Sequence, residues 1–558
     1  MKLVECVPNF SEGRNPQIID RITEAMKSVE GITILDVDRG TDTNRTVVTL
    51  VGPPDSIGRA AYLGIARAAE LIDMRYHKGA HPRLGATDVC PFIPVCGVEM
   101  EDCVRIAADL GRRVGQELGI PVYLYEYAAT RPLCRNLSDI REGEYEGGFE
   151  KIQRPEWQPD FGPQEFNPRS GATVIGAREF LIAYNINLAT RDKKIAHDIA
   201  LEIREKGKPI RDQQGKIQKD DQGNTCYQPG LFKNIKAIGW FMESFGCAQL
   251  SINFTNYHIT PIYRVFDEVC RLADQKGVRV SGSELVGLIP LQALTQAGLH
   301  YLQKQQRSTA VPDWQILDMA VRSLGLNDLY PFDIKKKVIE LMTEDQSHHQ
   351  LVNLSVQAFA DELSSESPAP GGGSVAALCG ALSAALGAMV SNLTYSKKGF
   401  ETLTTEMIER GTALQHHKKA FVDDIDRDTL SFNRLMEAFR LPNKSETEKH
   451  LRTQAIEEAT RQATLVPLEV MRRVVAMGDD LEYIALKGNP NSLSDAGVAV
   501  LTAQTALEGA YMNVLINLKG LPADDSKTQI RSEADHLKTA GLEKLQSIRQ
   551  TIYHHLSV

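Results

Sequence analysis

His77 and His81 stand four residues apart in "YHKGAHPRLGATDVCPFIPV", residues 76–95, and Asp88 follows in the same stretch. Two imidazoles and a carboxylate so close together admit two chemistries: a metal site, or acid/base catalysis by a ring that titrates near neutrality. Zinc hydrolases that use His-x-x-x-His carry it on a helix, where residues four apart share a face. Here Gly79 lies between the pair and Pro82 follows His81, and the residue before a proline is pushed towards extended geometry. The two rings are therefore not expected on a common helical face, which weighs against the metal without removing it. Two ordinary loop histidines are the third reading. "VCPFIPV" reads as a short buried strand entered from that loop, where a scaffold displays functional side chains.

A second concentration of chemistry lies in "FVDDIDRDTLSFNRLMEAF", residues 421–439. Phe421, Ile425, Asp428, Phe432, Leu435 and Phe439 follow alternating steps of four and three and form one seam of a helix. Asp428 falls in that apolar seam, whereas Asp423, Asp424 and Asp426 are expected to turn away, mostly into solvent. Burying a carboxylate without a partner is costly and drives its pKa up towards working pH, which suits a general acid/base. An Asp simply bonded to a neighbouring helix is the alternative. Upstream, "SPAPGGGSVAA" puts glycines at a helix entrance, where backbone N–H groups and the helix dipole suit an anion or a polar substrate. It lacks the Lys of a P-loop, and a tight turn explains it as well.

The elements that must position these groups fall into two kinds. At 558 residues the chain is too long for one core and suggests about three to four domains. Apolar content of 42% and charged content of 24% are those of a soluble globular protein, and a net charge of −9 argues against nucleic-acid binding as the main activity. Nine cysteines without CxxC pairs read as reduced packing residues, and the start shows no signal-peptide apolar region, so a cytoplasmic protein is expected. "KLVECVPNF" reads as a strand, and Asn15 with Pro16 opens a helix through Ile18, Ile19, Ile22 and Met26. "GITILDVDRG" and "RTVVTLVGPP" read as strands and "DSIGRAAYLGIARAAELID" as a helix. Strand, helix, strand, strand, helix, strand is the order of a ferredoxin-like antiparallel sheet with helices on one face. A second set begins with "GATVIGAREFLIAYNINLA", read as one strand. It continues through the helix "DKKIAHDIALEIREKG" to the strand pair "IKAIGWFMESFGCAQLSINFTN".

From Leu351 onward long helical patterns dominate. The expected class is therefore α+β in the first half, two tandem ferredoxin-like α/β subdomains over 1–180 and 181–335, then a linker over 336–350 and an all-α bundle over 351–558. "VAALCGALSAALGAMVSNL" has the length of a membrane span, but it is mostly small residues. Leu378, Leu382, Leu386 and Val390 form a stripe of larger residues, and Ala376, Gly380, Ala384 and Ala388 a stripe that lets another helix approach. A fully buried bundle helix, with no membrane span, is the better reading.

The segments "LVECVPNFSEGR", "HKGAHPRLGATDVCPFIPV", "DFGPQEFNPRSGATVIGAREFLIAYNINL", "PAPGGGSVAALCGALSAALGAMV", "DRDTLSFNRLMEAFRLP" and "GAYMNVLINL" closely resemble the formimidoyltransferase-cyclodeaminases, bifunctional folate enzymes of histidine degradation. The resemblance covers nearly the whole chain in the right order. It implies transfer of a formimidoyl group from N-formimidoyl-L-glutamate to N5 of tetrahydrofolate in the first half. In the second half it implies ring closure to 5,10-methenyltetrahydrofolate with loss of ammonia. It carries the catalytic histidine of "GAHPR" onto His81, with His77 in support, and the cyclodeaminase aspartate onto Asp428, the residue the seam also selects. Folate contacts map to Gly162, Pro163, Gln164, Glu165, Phe166, Asn167, Pro168, Arg169, Ser170 and Gly171. Asp38 is a second polar group expected in the cleft, and Asp495, within "KGNPNSLSDAG", is expected at the rim of the second pocket. Polyglutamylated tetrahydrofolate as co-substrate, no metal, and a homo-oligomer of dimers, up to a ring of dimers, complete the implication. The small-residue stripe beginning at Ala376 points to the same helix-mediated association. "PIRDQQGKIQKDDQGNTCYQPGLFKN" looks longer than the family's usual turn. A metal-dependent amidine or amide hydrolase using His77, His81 and Asp88, or a folate-binding protein without turnover, is the rival reading.

Overall fold

The computed structural model describes residues 2–41, 43–79, 82–220, 223–243, 245–343, 351–395 and 397–557. The chain divides into two compact units. One is built from residues up to Ala297 together with Val321–Thr343, and the other from Gly298–Ala320 together with the chain from Leu351.

The first unit begins with β1 (Leu3–Cys6) and β2 (Asn9–Phe10), so the single strand expected over "KLVECVPNF" is broken at Val7 and Pro8. Helix α1 (Pro16–Lys27) starts as expected, with the Asn15 side chain accepting from the Gln17 amide and Pro16 in the first turn. Then come β3 (Thr33–Gly40), β4 (Arg45–Gly52), α2 (Pro54–Leu71), β5 (Thr87–Cys96), α3 (Met100–Glu117) and β6 (Val122–Glu126). Short helices α4 (Leu137–Ile140) and α5 (Glu144–Lys151) lead to β7 (Thr173–Ala177). Strands β3, β4, β1/β2 and β5 lie side by side in the ferredoxin-like order, all antiparallel. Beyond β5 the sheet is extended by β7 and then β6, both parallel, a feature the sequence reading lacked. Ile19, Ile22 and Met26 of α1, Ile57 and Ile65 of α2 and Leu110 and Val114 of α3 bury against Val4, Cys6, Leu50, Cys90 and Phe92, so the helices cover one face only.

"GATVIGAREFLIAYNINLA" is two strands in two sheets. β7 is buried throughout the first, and after the polar break at Arg178 and Glu179 the chain enters β8 (Ile182–Leu188) of the second. Helix α6 (Lys193–Ile203) precedes the strands β9 (Lys208–Pro209) and β10 (Tyr227–Gln228), which enclose the long loop. In it Ile210, Gln218 and Cys226 bond in a closed ring, each amide to the next carbonyl at 2.9 Å. Strands β11 (Ile235–Met242) and β12 (Cys247–Phe254), helix α7 (Ile262–Gln275) and β13 (Val280–Val286) finish the second sheet, again in ferredoxin-like order, β11-β12-β8-β13. Helices α8 (Leu291–Lys304), α9 (Asp313–Ser323), α10 (Ile334–Lys337) and α11 (Ile339–Met342) follow. Residues 344–350 of the expected linker lie outside the described residues.

The second unit is all helix: α12 (Val356–Leu363), α13 (Gly372–Tyr395), α14 (Thr404–Phe439), α15 (Glu446–Ala476), α16 (Gly478–Lys487), α17 (Leu493–Leu518) and α18 (Asp525–Ser557). Helix α13 lies between α14 and α17. Its small residues Ala376, Ala384 and Ala388 are the buried ones, and Gly380 lets the Phe421 ring of α14 come so close that a Cβ would overlap it. The larger stripe is not uniformly inside: Val390 is buried and Leu382 is 48% exposed. Short side chains let the bundle close tightly over them and leave long ones on the outer face. The small-residue stripe is thus spent on packing within the unit, whereas the sequence reading assigned it to association between copies.

Candidate active sites

In the first unit the two sheets turn their uncovered faces towards a cavity of about 880 Å³. Glu5 of β1, Val7 in the break, Asn9 of β2, Asp36 and Asp38 of β3, Arg45 and Thr49 of β4 and Pro91 of β5 form one wall. Ala183, Asn253, Glu284 and Tyr330 form the other, and Arg141, Arg178, Lys336 and Lys337 add positive charge. Asp38 therefore lies in the cleft, where it was looked for. Glu5 is buried in this wall, which pushes its pKa from 4.5 to about 7 against the pull of Arg178. Asn9 donates from Nδ2 to the Val7 carbonyl at 2.8 Å, while its buried Oδ1 has no hydrogen-bond partner among the described residues.

His81 lies outside the described residues, and the described residues before and after it are held by hydrogen bonds. His77 donates from Nε2 to the Asn44 carbonyl at 2.9 Å and accepts on Nδ1 from Arg83 Nε at 3.3 Å. Arg83 in turn binds Glu144 and Glu146 at 2.8 and 2.6 Å. Burial lowers the pKa of His77, so the ring stays neutral in the tautomer those bonds require. The 73–79 segment is turn and loop, as Gly79 and Pro82 foretold. His77 has both nitrogens engaged, and Asp88 accepts from the Leu84 amide and pairs with Arg141, so neither stands free as a metal ligand. No group of three His, Cys, Asp or Glu suited to a metal occurs among the described residues.

The Gly162–Gly171 loop is joined to the same region. Ala86 N donates to Ser170 O at 2.8 Å and Ala172 N to Leu84 O at 3.2 Å. Gly171, at φ +70°, lies so close to the Leu84 carbonyl that only glycine fits. Asn167 Oδ1 accepts from the amides of Arg169 and Ser170, which closes the turn. Phe166 is buried against Tyr145 and Phe149, whereas Pro163, Gln164, Glu165, Pro168 and Arg169 are exposed.

In the second unit three separate segments meet at the entrance of α13. Asp428 stands over Gly373, where any Cβ would overlap its carboxylate. Ser374 donates to Asp428 Oδ2 at 3.2 Å and shares its hydroxyl with the Ile425 carbonyl at 2.9 Å. Burial raises the pKa of Asp428, opposed by hydrogen bonds from the side chain and backbone of Ser374. Asn513 of α17 lies against Gly372, its Nδ2 donating to Gly509 O at 2.8 Å. The glycine entrance and the seam aspartate, read separately in the sequence, are one site.

Two of the other aspartates of α14 correct the sequence reading, while Asp423 is exposed as expected. Asp424 is fully buried and pairs with Arg427 and Arg473, and Asp426 is buried and accepts from the amides of Leu351, at 2.8 Å, and Val352, at 3.3 Å. Both were expected in solvent because only one packing partner was counted, whereas α14 is covered by α13, by α15 and by the turn at 351–354. The seam also fades, with Phe439 45% exposed. Asp495 stands in the first turn of α17, about 27 Å of helix away from Asn513, so within one chain it does not reach Asp428. Sequence reasoning missed Asn9, Arg141 and Asn513. Asn9 and Asn513 stood in segments already singled out, and Arg141 stood in "SDIREGEYEGG", whose charges gave no periodic signal.

A family model described as the formiminotransferase domain, N-terminal subdomain, matches residues 3–178, one described as the formiminotransferase domain matches 183–344, and one described as formiminotransferase-cyclodeaminase matches 355–536. The chain is 43% identical over 537 residues to the formimidoyltransferase-cyclodeaminase of Rattus norvegicus, covering 96% of both chains. It is 40% identical over 554 residues to that of Dictyostelium discoideum, covering 99% of both. A glutamate formimidoyltransferase of Thermoplasma acidophilum is 46% identical over 305 residues, 54% of this chain and 93% of that one. With three models in order and end-to-end similarity to two eukaryotic relatives, this chain belongs to the formimidoyltransferase-cyclodeaminase family.

Proposed function

We propose that the first half moves the formimidoyl group of N-formimidoyl-L-glutamate to N5 of tetrahydrofolate and that the second half closes 5-formimidoyltetrahydrofolate to 5,10-methenyltetrahydrofolate, releasing ammonia. In the first step N5 attacks the amidine carbon. His81 takes the N5 proton as general base and returns it to the departing glutamate nitrogen. Asp38 and the unpartnered Asn9 Oδ1 are acceptors for amidine N–H groups in the cleft. The loop Gly162–Gly171 contributes folate contacts. In the second step N10 attacks the same carbon and the amidine nitrogen must leave as ammonia. Asp428, its pKa raised by burial, holds a proton for it.

The observation that carries this reading is the meeting of Asp428 with the glycine entrance of α13 in a chain whose other unit holds a separate polar cleft. The test is absorbance of the methenyl product on mixing the protein with both substrates. Ammonia without that chromophore would favour a hydrolase, and binding without turnover a folate carrier. Lys336 and Lys337 at the cleft suit a polyglutamylated folate, and neither step as written needs a metal. Division at 1–180, 181–335, 336–350 and 351–558 is supported by the family-model bounds, although Gly298–Ala320 packs with the helical unit. Exposed Leu382, Met389 and Leu393 on α13 and Met512 and Ile516 on α17 support a homo-oligomer of dimers, and free thiols at all nine cysteines support a cytoplasmic location.

A further inference from the structure

Arg141 lines the first cleft and has no part in the proton transfers above. Its placement is built from three sides. Asn9 pairs with Val89 and Phe10 with Thr87, so Asp88 is the extra residue of a β-bulge, a device that re-aims a side chain next to a site. Asp88 is buried beneath the cavity wall, meets Arg141 through Nε and Nη2, and accepts from the Leu84 amide at 2.9 Å. Lys151, itself buried, gathers the carbonyls of Asp139, Ile140 and Glu142 at 2.6, 3.1 and 3.1 Å and so fixes the turn that carries Arg141. Side-on pairing with Asp88 leaves Nη1 of Arg141 with no hydrogen bond to a described residue.

We propose that Arg141 binds a carboxylate of the formimidoylglutamate donor and that Asp88 is its positioning residue. A guanidinium held by a carboxylate below it keeps a fixed donor edge for a carboxylate above, a planar match that lysine cannot make. The unpartnered Asn9 Oδ1 in the same wall supplies the complementary acceptor, so the cleft offers a donor for the anionic end and an acceptor for the amidine end of one small molecule. Because Asp88 also holds Leu84, close after His81 in the chain, the residue that reads the donor and the loop that acts on it share one buried anchor. This rests on the transfer reading above.

The test is steady-state transfer by the full chain and by Arg141→Gln. The donors are N-formimidoyl-L-glutamate, N-formimidoyl-L-norvaline, which lacks the side-chain carboxylate, and N-formimidoyl-4-aminobutyrate, which lacks the α-carboxylate. Loss of a hydrogen bond to a charged group predicts a fall of about 10- to 100-fold in kcat/KM for formimidoylglutamate, through KM. The KM for tetrahydrofolate should be unchanged, and one analogue should be used no worse by the variant than by the parent. Asp88→Asn, whose Oδ1 can still accept from the Leu84 amide but no longer pairs as a carboxylate with Arg141, should raise the donor KM and leave kcat in place. Equal loss on all three donors, or a loss seen in the tetrahydrofolate KM, overturns the assignment. If Arg141→Gln does not fold, Arg141→Lys must show the same pattern with a smaller amplitude, and parent-like use of all three donors by it is equally fatal. A parent without transfer activity would sink the reading above instead.

Discussion

Asp428 and Glu5 are both carboxylates that burial pushes up, and each has its own test. Asn keeps the shape of Asp428 and its bond from Ser374 but cannot give up a catalytic proton. Asp428→Asn should therefore consume formimidoylglutamate normally, accumulate 5-formimidoyltetrahydrofolate, and lose methenyl formation by roughly 10²–10⁴-fold. Loss of transfer together with cyclisation in a folded variant would refute the role. Asp426→Asn is not a silent control: the Asp426 carboxylate holds the Leu351 and Val352 amides, so that variant should melt lower than the parent. For Glu5 the sign follows from linkage. Its pKa is 4.5 in the unfolded chain and about 7 when folded, so below pH 4.5 it is protonated in both states and burial costs no ionisation. Between pH 4.5 and 7 the unfolded chain alone ionises, so stability is lost across that window, by about 3 kcal/mol at most, and levels off above 7. Glu5→Gln should thus gain melting temperature over the parent at pH 8 relative to pH 5, and a pH-independent difference would show that Glu5 does not titrate as stated.

Helix α13 shows how far an element could be read from its sequence and where that stopped. Its glycine entrance and its tolerance of a close neighbour were legible, because small residues at helical spacing mean close approach wherever the partner comes from, but the full burial expected of it is not met, since Leu382, Met389 and Leu393 are exposed. Which of its two stripes faced inward was not legible, since that depends on partners distant in the chain, here Phe421 and Leu414 of α14. The same holds for α14: one heptad seam located Asp428, but a helix covered from three directions buries more than one seam, so Asp424 and Asp426 were misplaced. In the first unit the order of strands and helices through β5 was legible, whereas the break in the first strand, the division of "GATVIGAREFLIAYNINLA" between two sheets, the parallel strand β7 and the bulge at Asp88 arise from pairings with distant segments. At this scale the sharpest prediction is Gly373→Ala. The new methyl and the Asp428 carboxylate cannot occupy the same space, so cyclisation should fall towards the level of Asp428→Asn while transfer continues. Gly371→Ala, with nothing within 4 Å of an added Cβ, should melt with the parent. Parent-like cyclisation by Gly373→Ala would mean that Asp428 acts from another position.

At the scale of the whole chain, two folds of unlike construction carry two steps that share one folate. A sheet-walled cleft holds an arginine on a fixed anchor, and a helix bundle holds a carboxylate over a glycine entrance, so no described group of one site is needed for the chemistry of the other. His81→Ala should then lose transfer and still cyclise supplied 5-formimidoyltetrahydrofolate, and Asp428→Asn the reverse. Neither variant alone should make the methenyl product from formimidoylglutamate and tetrahydrofolate at more than a small fraction of the parent rate. Mixed, they should make it together, after a lag while free intermediate builds up, and the lag should shorten as the His81→Ala protein is increased, because that partner consumes the intermediate. Absorbance of the methenyl product against time measures it directly. If each variant keeps its own half-reaction and the mixture still makes no product, the intermediate does not leave the chain that forms it, and the independence of the two sites fails.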